Sequence, residues 1–258
     1  MKSIHVTKDL ENPIVVDEDL EKLEIKLDKG KRAEVVHYKK TPKQETKIIL
    51  EPNSQLDYYA IQKQVQDNSS IGEAELKENA KLNLIQTDIG SGRTSNNFTI
   101  KLLGRKAEAN VISLFHGREQ DEAEVSIRVD HVAEETKSNL YSRGIITNKA
   151  KNTYKGLIKI HKTAKNAEGR QESQTLTLEE AEAYATPELE IDNNQVACSH
   201  ASSVGQIDRG KIFYLMSRGL SEKEAEQLIV KGFYEPAFKK IWKEEMKEEI
   251  KKLIEERI

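Results

Sequence analysis

Short strand-like runs dominate the sequence from about Ile14 to Val204, and this pattern most constrains the fold. Within each run, apolar and polar side chains alternate, which is the period of a β-strand with one buried face. Turn-forming residues separate the runs. The pattern therefore predicts a mainly β body. The clearest runs are Leu23–Leu27, Lys47–Leu50, Leu82–Ile85, Phe98–Leu103, Val125–Val129 and Leu157–Ile160.

A polar–Ala–polar step recurs beside these runs and indicates how the strands are arranged. It is centred on Ala80, Ala107, Ala150 and Ala164. The steps are separated by roughly 15–45 residues, which is more typical of stacked coils than of a β-sandwich. Small residues also suit the inner corners of a β-solenoid, where successive coils stack closely. We therefore favour a parallel β-helix over a sandwich.

The sequence period changes from two residues to 3.6 after Gly205, and this change predicts two domains. Residues 1–205 are predicted to form the β-helix domain. Residues 206–258 are predicted to form a helical domain, because their apolar residues recur at helical spacing among many Lys and Glu residues.

Three helices are expected in the second domain. The first is predicted over 206–217. A capping box at 221–224 begins the second, which is expected to stop at Gly232. Pro236 is then expected to begin the last helix, whose apolar stripe could pack on the β body or contact a partner.

Charge and composition bear on the class of partner and on the compartment. The formal net charge is only −3, so there is no global electrostatic case for nucleic acid. No apolar run approaches the ~20 residues of a membrane span. The N-terminal residues lack the apolar core of a signal peptide, and a single cysteine rules out an internal disulfide. The sequence thus predicts a cytoplasmic protein with no nucleic-acid or membrane partner.

The only cysteine lies two positions from a histidine. If Val196–Gly205 is a strand, Cys198 and His200 share one face with their Cα atoms about 7 Å apart. A thiolate and an imidazole can bind zinc or the iron of an iron–sulfur cluster. Two ligands do not close such a site, so others must come from elsewhere in the fold or from a second chain. Alternatively, Cys198 is a small buried apolar residue and His200 a hydrogen-bonded core residue.

His131 is the other histidine of interest. It continues the apolar face of Val125–Val129 if that strand runs straight, which would place its ring inside the β body. There it could be a ligand, a proton relay or a hydrogen-bonded core residue. The sequence contains no Ser-His-Asp order, nucleophile elbow or P-loop, so it predicts no enzyme activity.

Linked motifs extend over most of the chain. The C-terminal motif reads CSHASSVGQID at 198–208 and IFYLMSRGL at 212–220. Upstream motifs are YSRGI at 141–145, NTYKG at 152–156 and ATPELEI at 185–191. In order and spacing these motifs resemble the SufB/SufD family, whose members are subunits of the SUF machine for iron–sulfur cluster assembly. The C-terminal motif is closest to the SufD type.

This resemblance implies a right-handed parallel β-helix followed by a C-terminal helical domain. It also implies that the helical domain binds the ABC-type ATPase SufC, which supplies ATP hydrolysis. The β-helices of two SufB/SufD-type chains would pair, with a transient iron–sulfur cluster at their interface. The chain itself would be a scaffold subunit rather than an enzyme.

The resemblance also assigns roles to residues. Cys198 and His200 are implied as cluster ligands, and His131 matches a histidine on the internal sulfur path of SufB-type chains. Glu172 stands where SufB has its scaffold cysteine. In a homodimer, two copies of these residues could surround one cluster. The ATPase interface is expected at Phe213, Tyr214, Arg218, Gly219 and Phe233.

Several alternatives remain open on the sequence. The second chain could be another copy or a different SufB-type subunit. The chain could be a structural SufD-like partner that binds no cluster. A third hypothesis is a carbohydrate-active β-helix enzyme, which is disfavoured because aromatic residues are only 5% of the chain.

Overall fold

The computed structural model describes residues 1–62, 67–89 and 92–257. Within these residues the chain forms sixteen strands followed by three helices. The strands are β1 (Lys2–Val6), β2 (Ile14–Val16), β3 (Lys22–Leu27), β4 (Arg32–Lys39), β5 (Lys43–Leu50), β6 (Gln55–Gln62), β7 (Asn68–Leu76), β8 (Lys81–Asp88), β9 (Arg93–Leu102), β10 (Glu108–Gly117), β11 (Glu122–His131), β12 (Lys137–Ile146), β13 (Lys151–Ile160), β14 (Ala167–Thr177), β15 (Glu182–Ile191) and β16 (Val196–Gln206). The helices are α1 (Arg209–Ser217), α2 (Glu222–Phe238) and α3 (Glu244–Glu255).

The strands alternate between two eight-stranded parallel sheets. The odd-numbered strands form one sheet, in the order β1 to β15, and the even-numbered strands form the other, from β2 to β16. Each coil of the chain therefore adds one strand to each sheet, which is the arrangement of a β-solenoid. The predicted mainly β fold and parallel β-helix are confirmed. The first strand begins earlier than the alternating pattern suggested, at Lys2, and pairs with β3.

The alanine steps lie at the corners of the solenoid. All four alanines are fully buried. At two corners the preceding residue, Asn79 or Lys106, has a positive φ of 52° or 61°. A left-handed residue turns the chain sharply, and an alanine then leaves room for the next coil to stack. The sequence expectation that small residues occupy inner corners is therefore confirmed.

The predicted helix boundaries need two corrections. The first helix begins at Arg209 rather than at 206, because β16 continues through Gln206. The capping box is present, because Ser221 Oγ accepts a hydrogen bond from the Glu224 N–H and Glu224 accepts one from the Ser221 N–H. However, α2 continues through Gly232 and Pro236, and the last helix begins at Glu244. No described helix is long and apolar enough to cross a membrane.

The helix continues because its second half is held against the outer face of the even-strand sheet. Tyr234 and Ala237 of α2 are fully buried, and Phe238 is nearly so. A proline inside a helix removes one backbone hydrogen bond and bends the helix. Here the buried face on both sides of Pro236 offsets that cost.

Two side chains join α2 to strands β10 and β12. The Tyr234 hydroxyl donates to the Phe115 carbonyl at 2.6 Å and accepts from the Ile145 N–H at 3.1 Å. Arg143, almost fully buried, donates to the Phe233 carbonyl at 2.7 Å, and its guanidinium lies 4.9 Å from the centre of the Phe233 ring. The middle of α2 is therefore fixed to the sheet.

The C-terminal segment is tied to the same sheet by charged groups. Lys243, just before α3, forms an ion pair with Glu34 at 2.7 Å. Arg257, just after α3, pairs with Asp121 at 2.6 Å, and both of these side chains are largely buried. The even-strand sheet is therefore covered by α2 and α3 over part of its outer face.

Candidate functional site

Cys198 and His200 lie on β16, the last strand of the even-strand sheet. The register pairs Cys198 with Gly169 and His200 with Gln171, both of which face the solenoid interior on β14. The two side chains therefore share the inner face, as the alternating pattern predicts. Cys198 is half-buried and packs against the end of the main core, whereas His200 is exposed at the sheet edge.

The environment of Cys198 keeps the thiol protonated. Burial raises the pKa of Cys198, and a hydrogen bond with the backbone of Gly169 offsets only part of that rise. The thiolate is the nucleophile and the metal ligand, so this cysteine is a weak nucleophile in the isolated chain. A bound metal would displace the proton, and its binding would then release a proton and depend on pH.

His131 is fully buried and both of its ring nitrogens are hydrogen-bonded. Thr136 Oγ1 donates to the Ala133 carbonyl at 3.0 Å, so it accepts from His131 Nδ1 at 2.9 Å. Nε2 is then the unprotonated nitrogen and accepts from Ser138 Oγ at 2.7 Å. Burial lowers the pKa of His131 to about 4. The ring is therefore neutral at physiological pH.

An inner column of side chains connects the region of His131 with Cys198. Ser138, the partner of His131, pairs with Gly169 on the next strand, and Gly169 pairs with Cys198. With neighbouring strands about 4.8 Å apart, Ser138 and Cys198 are separated by about 10 Å. Gly169 has no side chain, and the Ile158 side chain of the facing sheet lies 2.9 Å from where its Cβ would be. The fold thus places two separately predicted residues along one inner corner.

The neutral state of His131 predicts a loss of stability in acid. The unfolded imidazole has a pKa near 6.5, so between pH 6.5 and about 4 the unfolded chain binds more protons than the folded chain. This contribution is fully present above pH 6.5 and is lost as the pH falls. We expect His131→Gln to reduce the stability lost between pH 7.5 and pH 5 by about 2 kcal/mol.

Urea unfolding at the two pH values measures this difference. His161→Gln, at a less buried histidine, is the matched control. An unchanged pH dependence in His131→Gln would contradict the neutral buried assignment.

Glu172 lies on the opposite face of the sheet. It is paired across the ladder with Ala201, and its carboxylate is 3.7 Å from the guanidinium of Arg143. It therefore does not point to the same side as Cys198 and His200. In the described part of the chain, no group of three or more His, Cys, Asp or Glu side chains is arranged to hold a metal ion.

The residues predicted for an ATPase interface fall into two environments. Phe213 is 74% exposed and Tyr214 is 57% exposed on α1, with the Arg218 guanidinium 5.3 Å from the Tyr214 ring centre. Gly219 has a φ of +99°, which permits the sharp turn into α2. Phe233, in contrast, is half-buried under Arg143.

Two further exposed apolar residues extend the α1 surface and were not singled out from the sequence. They are Met216 on α1 and Leu228 on α2. The signal in the sequence was the run Ile212–Met216, in which all five residues are large and apolar or aromatic. A helix can bury only one side of such a run against the fold, and here only Ile212 is fully buried.

The fold and the site together define a β-solenoid protein with an open last coil and a helical segment held on one sheet. A model of the family described as "SUF system FeS cluster assembly, SufBD core domain" matches residues 15–233. The chain belongs to this family, which confirms the resemblance seen in its motifs.

Curated relatives agree with the family assignment. The chain is 28% identical over 199 residues to an iron–sulfur cluster assembly SufBD family protein of Mycobacterium leprae, covering 75% of this chain and 23% of that protein. It is 32% identical over 165 residues to a protein of the same description from Staphylococcus aureus, covering 64% of this chain and 36% of that protein. The chain thus spans well under half the length of the curated relatives it matches.

Proposed function

We propose that this chain is a non-enzymatic scaffold subunit in iron–sulfur cluster assembly. A second SufB/SufD-type chain pairs with its last coil, and the cluster, as cargo, is held at that interface. The observation that carries the proposal is the position of Cys198 and His200. They form an incomplete ligand pair on the inner face of a strand that ends its sheet.

The last coil has the properties of a pairing surface. Strands β15 and β16 each end their sheets, so each has one edge without a partner among the described strands. Such an edge can add a strand from another chain through backbone hydrogen bonds. Tyr184 on β15, which is 60% exposed, and Val204 on β16 add apolar surface there. Family membership supports the choice of a related chain as the partner.

Two-fold pairing would complete the ligand set. A symmetric interface brings the same patch of each chain together, so Cys198 and His200 would become two cysteines and two histidines. Mixed cysteine and histidine ligation is known for iron–sulfur clusters. The roles of Glu172 and His131 stay predictions. The variant Glu172→Ala tests the role of Glu172. If this variant loses the cluster, the Glu172 carboxylate reaches the interface; if cluster binding is unchanged, Glu172 is not a ligand.

The exposed side of α1 is the proposed docking surface for a SufC-type ABC ATPase. Phe213 and Tyr214 are large apolar side chains left open in the single chain, and Arg218 adds a charge at the turn. Phe233 is not part of this exposed surface. In this proposal it connects the docking surface on α1 with Arg143 of the sheet. The Phe233 carbonyl accepts a hydrogen bond from Arg143, and the Arg143 guanidinium lies 3.7 Å from the Glu172 carboxylate. Glu172 is on β14, the strand next to β16.

That sequence of contacts offers a mechanical connection. If nucleotide binding moves the ATPase, the force enters through α1 and α2. The buried anchors Tyr234 and Arg143 carry it to β12 and then to β14, which is hydrogen-bonded to β16. The proposed cluster site would then open or close with the ATPase cycle.

A second candidate role is a structural SufD-like partner that binds no cluster. The raised pKa of the Cys198 thiol favours this alternative, since a protonated thiol is a poor ligand. Metal content separates the two roles, because both require ATPase binding and pairing.

Native mass spectrometry of the chain, co-expressed with a SufC-type ATPase and purified without oxygen, tests the proposal. We expect a complex of two scaffold chains and two ATPase chains that carries iron and sulfide. Cys198→Ser combined with His200→Ala should keep the complex and lose the iron. Undiminished iron in this double variant would contradict the ligand assignment, and an intact complex without iron in the unmodified chain would favour the structural role.

A surface variant tests the ATPase side in the same experiment. Phe213→Asp combined with Tyr214→Asp should remove the ATPase while the scaffold chains stay paired. The control is Ile71→Asp, an equally exposed apolar position on the odd-strand sheet. Full ATPase binding by the double variant would contradict the placement on α1.

A further inference from the structure

A groove of about 600 Å³ lies on the outer face of the even-strand sheet. Its floor is formed by the even-numbered strands β8, β10, β12 and β14. Ser199, His200 and Ala201 of β16 border one end, and Lys240 and Trp242, between α2 and α3, border one side. This volume falls in the usual range for small-molecule sites, about 300–1,000 Å³. The groove is separate from the exposed face of α1.

A ladder of three amide side chains runs along the floor and ends on the carboxylate of Asp57, just outside the groove. Asp57, Asn83, Asn110 and Asn139 occupy the same register position on four neighbouring strands. Each asparagine Nδ2 donates to the preceding side chain, at 2.7, 3.0 and 2.9 Å in that order. These bonds hold the amides in fixed orientations, so hydrogen-bonding groups of a ligand would meet a preorganised row.

The groove also has an excess of positive charge. Arg170 continues the ladder register beyond Asn139, and neither Arg170 nor Lys240 forms an ion pair within the described part of the chain. The nearby carboxylate of Glu168 is paired with Lys137 at 2.9 Å. Glu172, the acidic residue in the lining, is balanced by Arg143 behind it. Asp57, at the far end of the ladder, and Glu108, which accepts from Asn110 at 2.7 Å, lie outside the lining.

Aromatic side chains form the wall beside the helices. Trp242 packs on Tyr59 with a ring-centre distance of 5.5 Å and is still 42% exposed. The Lys240 ammonium lies 4.8 Å from the centre of the Tyr141 ring. The indole packs on β6, whereas Arg170 lies on β14 and Lys240 over Tyr141 on β12. An indole at one end of the groove and two cations toward the other fit a ligand with a flat ring at one end and anionic oxygens at the other.

We propose that this groove binds a mononucleotide-like aromatic phosphate. The ring packs against Trp242, the phosphate lies between Arg170 and Lys240, and polar groups between them bond to the asparagine ladder. The guanidinium of Arg170 suits a phosphate because it can donate two parallel hydrogen bonds. The site requires neither Cys198 nor a second chain, so it goes beyond the proposed scaffold function and does not rest on it.

Trp242 is the only tryptophan in the sequence, so its fluorescence reports directly on the groove. The full chain, without metal or ATPase, is titrated with adenosine monophosphate, with adenosine and with inorganic phosphate. We expect saturable quenching by the monophosphate at a concentration at least tenfold lower than adenosine requires. Inorganic phosphate should compete weakly and cause little quenching.

Matched variants locate the phosphate. Arg170→Gln and Lys240→Gln should each weaken binding of the monophosphate about tenfold, while Lys239→Gln, at the exposed neighbouring lysine, should leave it unchanged. Calorimetric titration of the same variants provides a readout that does not depend on the indole. Equal affinity for adenosine and its monophosphate, or full affinity in Arg170→Gln, would overturn the proposal. Absence of any binding would do so as well. None of these three results would contradict the proposed scaffold function.

Discussion

Replacement of Gly104 by alanine is expected to lower the free energy of unfolding by about 4 kcal/mol. Gly104 lies at a corner of the solenoid, where its N–H donates to the Leu76 carbonyl of the preceding coil at 3.0 Å. A Cβ atom at this position would lie 1.9 Å from the backbone nitrogen of Glu78 and 2.2 Å from the carbonyl carbon of Lys77. Real Cβ contacts this short do not occur, so one coil must move away from the other.

The cost is large because the opposing atoms belong to the backbone. A side chain could rotate away, but the backbone of Lys77 and Glu78 is held by the stacking of the coils on both sides. Moving it would lengthen ladder hydrogen bonds and open the buried corner at Ala107. Overpacking usually costs 1–3 kcal/mol when side chains can adapt, and about 4 kcal/mol is expected where they cannot.

Urea unfolding followed by circular dichroism measures the difference. The matched control is Gly205→Ala on β16, where an added Cβ meets nothing within 4 Å. That variant should stay within about 0.5 kcal/mol of the unmodified chain. A loss of less than 1 kcal/mol in Gly104→Ala would mean that the coils are stacked more loosely than the corner geometry indicates.

The strands and corners of the solenoid could be predicted from the sequence, whereas the end of α2 could not. Alternation identified the strands, and the recurrent alanines indicated stacked coils, because both patterns are local and arise directly from burial. The end of α2 was missed for the opposite reason. Gly232 and Pro236 are local signals for stopping a helix, but the burial of Tyr234 against β10 and β12 is a contact between residues about 90–120 positions apart.

In the candidate site, too, some features follow from local sequence patterns and others depend on contacts between distant residues. The shared face of Cys198 and His200 follows from alternation alone. The position of Glu172 on the other face depends on the register of β14 against β16, which no local pattern shows. The asparagine ladder is similar, because Asn83, Asn110 and Asn139 align only once the coil lengths are known.

The solenoid interior also contains two charged residues whose proximity the sequence does not reveal, because they are far apart along the chain. Lys39 is almost fully buried and donates to Ser70 at 2.9 Å, and burial lowers its pKa to about 8. Asp88, two strands away in the same inner column, accepts from Thr94 at 2.6 Å and from Asn96 at 2.9 Å. In the sequence each of these residues is an ordinary charged or polar residue at a strand end.

Tyr234→Phe should lower the free energy of unfolding by about 3 kcal/mol, although it removes one oxygen atom. The hydroxyl stands between two neighbouring strands, accepting from Ile145 on β12 and donating to the carbonyl of Phe115 on β10. Both backbone groups lie under the helix and away from water. Without the hydroxyl a buried N–H and a buried C=O lose their partner, and each unsatisfied group costs about 1–3 kcal/mol.

Tyr214→Phe is the matched control, because the Tyr214 side chain is exposed on α1 and the change there should be within about 0.5 kcal/mol. Hydrogen exchange gives the sharper readout. In Tyr234→Phe the Ile145 amide should exchange at least tenfold faster, while amides of the distant odd-strand sheet keep their rates relative to global unfolding. If Ile145 stays protected and stability is unchanged, β10 and β12 have closed into a direct ladder bond, and α2 is not the rigid anchor through which the proposed ATPase movement would reach β16.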